Sequence, residues 1–196
     1  MKKVLLSAVL VLVASSAFAA ISNTKHDLKT GGTSTYKGSS DQTCKYCHVP
    51  HAAIISQALW GRTNNYTASA VYANAGSLNS TPSSTVTKTQ SAGCLGCHQT
   101  TPSLGFDTTT NLATGITGNA NIGQDLSNDH PIAFTYDSAL ATADGSLNAP
   151  AGTGLPLFGG TMECATCHDV HGVASVPSFL RTTNVGSALC LKCHNK

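Results

Sequence analysis

The sequence predicts a mostly irregular chain with short α-helices and little sheet. Three observations lead there. Aromatic residues make up only 6% of the 196 positions, too few for a large side-chain core. The interval from Gln99 to Glu163 is rich in Gly, Thr, Asn, Ser and Ala, is punctuated by Asn148-Ala149-Pro150 and Gly152-Thr153-Gly154, and lacks helical or alternating periodicity. Finally, one pentapeptide pattern, C-x-x-C-H, recurs four times and uses all eight cysteines. A structureless interval of that length is suspicious in an ordinary domain, so something other than side chains must supply the surface it packs on.

The repeats are CKYCH (Cys44, Cys47, His48), CLGCH (Cys94, Cys97, His98), CATCH (Cys164, Cys167, His168) and CLKCH (Cys190, Cys193, His194). Two cysteines at this spacing form thioether bonds to both vinyl groups of one haem, and the following histidine coordinates the iron. Zinc sites of four cysteines or redox disulfides would also consume the cysteines, but neither needs a histidine after every C-x-x-C. The reading is four haem c groups, and a multihaem cytochrome c fold with a haem-dominated core. Short helices are expected to carry the motifs, with Ser56 to Trp60 continuing the first. The motifs are unequally spaced, which argues against a solenoid.

Residues 1–19 read as a signal peptide: Lys2 and Lys3, an apolar stretch from Val4, and a cleavage signature at Ala17-Phe18-Ala19. A retained anchor is the competing reading, but 17 residues from Val4 to Ala20 are short for a span. Residues 20–196 then form a single tetrahaem domain, exported and with no transmembrane segment after cleavage. Export suits the cofactor, because c-type haem is attached outside the cytoplasm, where free thiol pairs would otherwise oxidise. Loss of Lys2 and Lys3 balances basic and acidic residues, and no basic patch suggests nucleic acid. The run from Ser80 to Ser91 reads as a solvated loop, and Asn65 and Asn79 head weak glycosylation patterns.

Four histidines remain outside the motifs: His26, His51, His130 and His171. His51 follows His48 in CHVPH as His171 follows His168 in CHDVH. Residues three apart share one face of a helical turn, so neither can reach the far side of its own motif's haem; each serves another haem or none. Pro131 holds His130 in an extended or turn conformation, suited to a ligand or an exposed loop. His26 lies near the mature terminus, where chains fray, and its spacing leaves it open between ligand and solvated side chain. The alternative ligand, Met162, sits two residues before Cys164 and is poorly placed to cross its own haem. Bis-histidine irons are the economical assignment; they are saturated, of low potential, and pass electrons without binding substrate, so no enzyme activity is expected.

The four motifs, CHxxH at the first and third, the SNDHPIAF segment and the closing FLRTTNVGSALCLKCHNK resemble the multihaem c-type cytochromes of metal-respiring bacteria. Among these the chain is similar in layout to the extracellular, filament-forming tetrahaem cytochromes, the OmcE-like nanowires. The resemblance implies a homopolymer built by head-to-tail subunit contact, with one distal histidine donated by the adjacent subunit, His26 being the candidate. It also implies redox partner proteins or extracellular electron acceptors, and an extracellular or outer-surface location. A soluble periplasmic shuttle and a multihaem reductase with one open iron are the competing functions.

Overall fold

The computed structural model describes residues 21–51, 59–60, 66–72, 78–86, 90–99, 116–172 and 176–195. The signal-peptide segment, Ser56 and Asn65 lie outside the described residues. Within them the chain is mostly turn and coil. Six two-residue strands are present: β1 (Tyr66–Thr67), β2 (Ala70–Val71), β3 (Thr85–Val86), β4 (Asp125–Leu126), β5 (Phe134–Thr135) and β6 (Thr161–Met162). They pair as β1–β3 and β5–β6, both antiparallel, and β2–β4, parallel. Four short helices accompany them: α1 (Gln90–Leu95), α2 (Ser138–Asp144), α3 (Pro150–Thr153) and α4 (Cys164–Cys167). This is the irregular, helix-poor and sheet-poor architecture that the sequence predicts.

Three local expectations are corrected. The interval from Gln99 to Glu163 carries α2, α3 and three of the strands, because capping supplies what periodicity lacks. The Asp137 carboxylate accepts the Leu140 amide at the start of α2, and Gly145 ends it at φ 71°. Pro150 opens α3 and Gly154 closes it at φ 65°. The Ser80–Ser91 run is not wholly solvated: Val86 pairs with Tyr66 and both are fully buried, as is Ser91 in α1. Trp60 does not extend a helix from the first motif; it forms an antiparallel bridge with His48.

The side-chain core is small and divided. One cluster gathers Tyr66, Ala68, Val86, Ala92, Leu95 and Leu126 beside the second motif. The other gathers Phe134, Tyr136, Met162 and Cys193 beside the fourth. Each apolar set lies against a cysteine pair, so the second and fourth motifs border the core seen among the described residues. Among the described residues no helix is long and apolar enough to cross a membrane.

Candidate functional site

All four pentapeptides close the same turn. The amides of His48, His98, His168 and His194 donate to the carbonyls of Cys44, Cys94, Cys164 and Cys190 at 2.8, 2.9, 3.0 and 2.9 Å. Helical winding over one turn brings the two cysteines of a motif to the same side, with its histidine next to them. The turn is 3-10 at Thr43–Tyr46 and Cys190–Lys192 and α-helical in α1 and α4.

The first and third motifs continue identically. After His48 the chain returns to bridge at Trp60; after His168 it returns to bridge at Leu180. The Val49 amide donates to Leu59 at 2.8 Å and the Asp169 amide to Phe179 at 2.7 Å. Leu59 and Phe179, at matching positions, both adopt left-handed backbone, φ 50° and 56°, which side-chain-bearing residues rarely occupy. CHxxH was the sequence signal for this repeat; the matching return strands were not legible, because their side chains differ.

Three of the four non-motif histidines fall opposite motif histidines. Ring centroids of His26 and His98 lie 5.9 Å apart, those of His48 and His171 5.9 Å, and those of His130 and His194 6.3 Å. A first-row metal at ~2.0–2.1 Å from a ring nitrogen puts two trans imidazole centroids about 6.3 Å apart. The spacing fits one metal between each pair. The pairings use six different histidines and always join one motif member to one outside it. His171, carried by the third motif, faces the histidine of the first. His26 meets His98 of its own chain and is not on a free arm. His51 and His168 are both exposed and form none of these ring pairs, although His168 lies near enough to His26 for its charge to reach that ring.

Hydrogen bonding prepares these rings as ligands. Nδ1 of His98, His168 and His130 bonds the carbonyls of Ala120, Ser178 and Pro131 at 2.7, 2.8 and 2.9 Å, leaving Nε2 for metal. Nδ1 of His26 is buried without a protein partner, an orphan of the kind that a ligand satisfies. Burial first, then the charges of His98 and His168, push the His26 imidazole from 6.5 down to about 4. It is therefore neutral, the form that binds metal.

The N-terminal segment does not fray because Asp27, 2% exposed, ties it down. Its carboxylate accepts the Asn23 amide at 3.0 Å and the Thr43 hydroxyl at 3.2 Å, joining the His26 segment to the start of the first motif. At the third motif, Arg181 donates to Asp169 and to the Ala165 carbonyl, each at 2.8 Å, while Asp169 accepts the His171 amide at 2.9 Å. Trp60 lies against α1 at Gly93, where an added Cβ would sit 3.2 Å from the indole. Met162 is buried in β6 and packs in the core with Phe134 and Tyr136.

The cysteines are all free, and among the described residues no three or more His, Cys, Asp or Glu side chains converge on one point to hold a bare ion. In thiol form Cys94 is pushed well up by its hydrogen bond with Cys164 and then by burial, whereas the same bond lowers Cys164. The second and third motifs thus meet sulfur to sulfur. Burial, then Cys193, raises Cys167, so the third motif also adjoins the fourth.

Residues 156–196, which hold Cys164, Cys167, His168, Cys190, Cys193 and His194, match the doubled CXXCH motif family. No curated protein matches the chain. The paired motif implies covalently bound haem c and points to a multihaem c-type cytochrome.

Proposed function

We propose that this chain is an electron-transfer protein holding four haem c groups, and that it serves as a subunit of an extracellular cytochrome filament. The three one-to-one histidine pairs carry this reading. Cys44 and Cys47, Cys94 and Cys97, Cys164 and Cys167, and Cys190 and Cys193 make the thioether attachments. His48 with His171, His98 with His26 and His194 with His130 would hold three of the irons. When bound, each haem supplies a one-electron iron couple, whose potential two imidazoles keep lower than a thioether would. A closed iron offers no position to a substrate, so the protein conducts without catalysing.

The fourth pair supports assembly. His168 needs a distal partner, and exposed His51 is the histidine left over. In the filament, His51 of one subunit closes the His168 site of the next. A contact of that kind does not close on itself and extends into a fibre. We assign the inter-subunit role to His51 in place of His26, because the His26 ring lies beside His98 of its own chain. The repeat favours one competitor: because His171 crosses from the third motif to His48, His51 could cross reciprocally to His168 of the same chain, giving a self-contained periplasmic shuttle.

Negative-stain electron microscopy of the haem-loaded protein, beside electron paramagnetic resonance, tests the choice. Fibres from the wild type, and discrete particles with one high-spin haem from His51→Ala, are expected. Discrete wild-type particles with every iron low-spin would sink the filament and select the shuttle. A pyridine haemochrome count below four per chain would remove the premise itself.

A further inference from the structure

The second and third motifs are joined by an exchange of hydrogen bonds that haem attachment does not require. The Ser91 amide, in the first turn of α1, donates to the Glu163 carboxylate at 3.0 Å. The Cys164 amide, opening α4, donates back to the Ser91 hydroxyl at 2.9 Å. Glu163 is also the N-cap of α4 and forms a capping box with Thr166, whose hydroxyl accepts the Glu163 amide at 3.0 Å. One carboxylate therefore caps two helices, each carrying a cysteine pair. It is 3% exposed, and Ser91 and Thr166 are fully buried. The usual capping box has Ser or Thr at the N-cap and Glu or Gln at the third helical position; here the order is reversed, with Glu163 at the N-cap and Thr166 at the third position. Here a carboxylate has been enclosed beside Cys164, where solvent does not screen it and charge acts strongly.

We propose that Glu163 is a positioning and potential-setting residue: it locks the second and third haem-attachment helices together, and its enclosed negative charge holds the haems attached there at lower reduction potential than their ligands alone would set. This rests on the four-haem reading. Reduction adds an electron near a fixed negative charge, so the charge favours the oxidised form. Charge and hydrogen bonding around a haem are recognised controls of its potential. Because the carboxylate belongs to both helices, the effect falls on two haems and spares the other two.

The test is a spectroelectrochemical titration of haem-loaded wild type, Glu163→Gln, Glu163→Asp and Ser91→Ala, each with a pyridine haemochrome count and a melting curve. Glu163→Gln keeps the size and removes the charge; two of its four midpoints should rise, each by up to about tenfold in the oxidised-to-reduced equilibrium, tenfold being 59 mV for one electron. Glu163→Asp and Ser91→Ala weaken the clamp and keep the charge, so they should melt lower with midpoints unmoved. The proposal is overturned if Glu163→Gln titrates like wild type while melting lower, for that is a structural cap alone. It is equally overturned if Ser91→Ala or Glu163→Asp shifts the midpoints upward. Where Glu163→Gln fails to load haem, Glu163→Met, which also keeps the size and drops the charge, carries the same test: two midpoints raised supports the proposal, and none moved overturns it. A wild-type count below four haems strikes the four-haem reading, and the count separates that result from a failure of the Glu163 assignment.

Discussion

Replacing Asp27 by alanine should loosen one iron ligand without touching it. The carboxylate accepts two hydrogen bonds, from the Asn23 amide and the Thr43 hydroxyl, inside a nearly closed site. Bonds to a charged acceptor contribute about 1.5–3 kcal/mol each, and truncation strands both donors. The Lys29 ammonium, at 3.9 Å and partly exposed, adds little. The lower figure for two bonds gives ~3 kcal/mol, borne by the segment that presents His26 to His98. At 1.4 kcal/mol per tenfold, the population with His26 withdrawn should rise about a hundredfold. Carbon monoxide binding to the reduced, haem-loaded protein reads that population, because the gas can occupy only an iron whose distal histidine has left. One haem in the Asp27→Ala protein should bind carbon monoxide about a hundredfold faster than in wild type, with Asp27→Asn between them since it keeps an acceptor. Equal rates in Asp27→Ala and wild type would refute the clamp; equal acceleration at every haem would mean general unfolding and not a local release.

His26 also gives the protein a pH window. Before iron binds, its folded value, about 4, lies below its ordinary 6.5, and an iron bond to the ring would depress it further, so the unfolded chain binds the extra proton as pH falls below about 6.5. Stability from this group is complete above about pH 6.5 and is lost as pH falls toward 4, by ~3 kcal/mol at about 1.36 kcal/mol per tenfold. Urea unfolding across that range should show a steeper loss in wild type than in His26→Gln, and parallel curves would count against a buried neutral His26. Gly38→Ala places a methyl in the Tyr46 ring, which is fully buried and whose hydroxyl bonds Ser40 on both sides. A loss of ~2 kcal/mol is expected, visible as a lower Tm; an unchanged Tm would mean that Tyr46 can move aside. Arg181→Ala frees Asp169, which orients His171; with both side chains partly exposed it should cost only ~1–2 kcal/mol but raise the high-spin fraction at the His48 iron. A variant that melts lower with every iron still low-spin would show that Arg181 only braces the loop.

The sequence by itself determined the chemistry and the class of architecture. The C-x-x-C-H motifs imply covalently bound haem c, and they are legible because the attachment they imply draws on neighbouring residues, a local constraint written in local sequence. The scarcity of aromatics and of periodicity likewise announced a chain of short elements. Helix caps at Asp137, Gly145, Pro150 and Gly154 are also written locally, but amid so much glycine and threonine Pro150 and Gly154 read equally well as loop punctuation. What only the tertiary structure decided was the pairing: which distant histidine faces which motif depends on return strands and on how helices stack, and no spacing encodes that. His26 shows the difference most sharply. Its sequence position suggested a free arm, whereas Asp27, reaching across to Thr43, folds it back onto His98 of its own chain. Glu163 is the other case: in sequence it is one residue before a motif, and only the packing of α1 against α4 makes it a buried charge shared by two attachment helices.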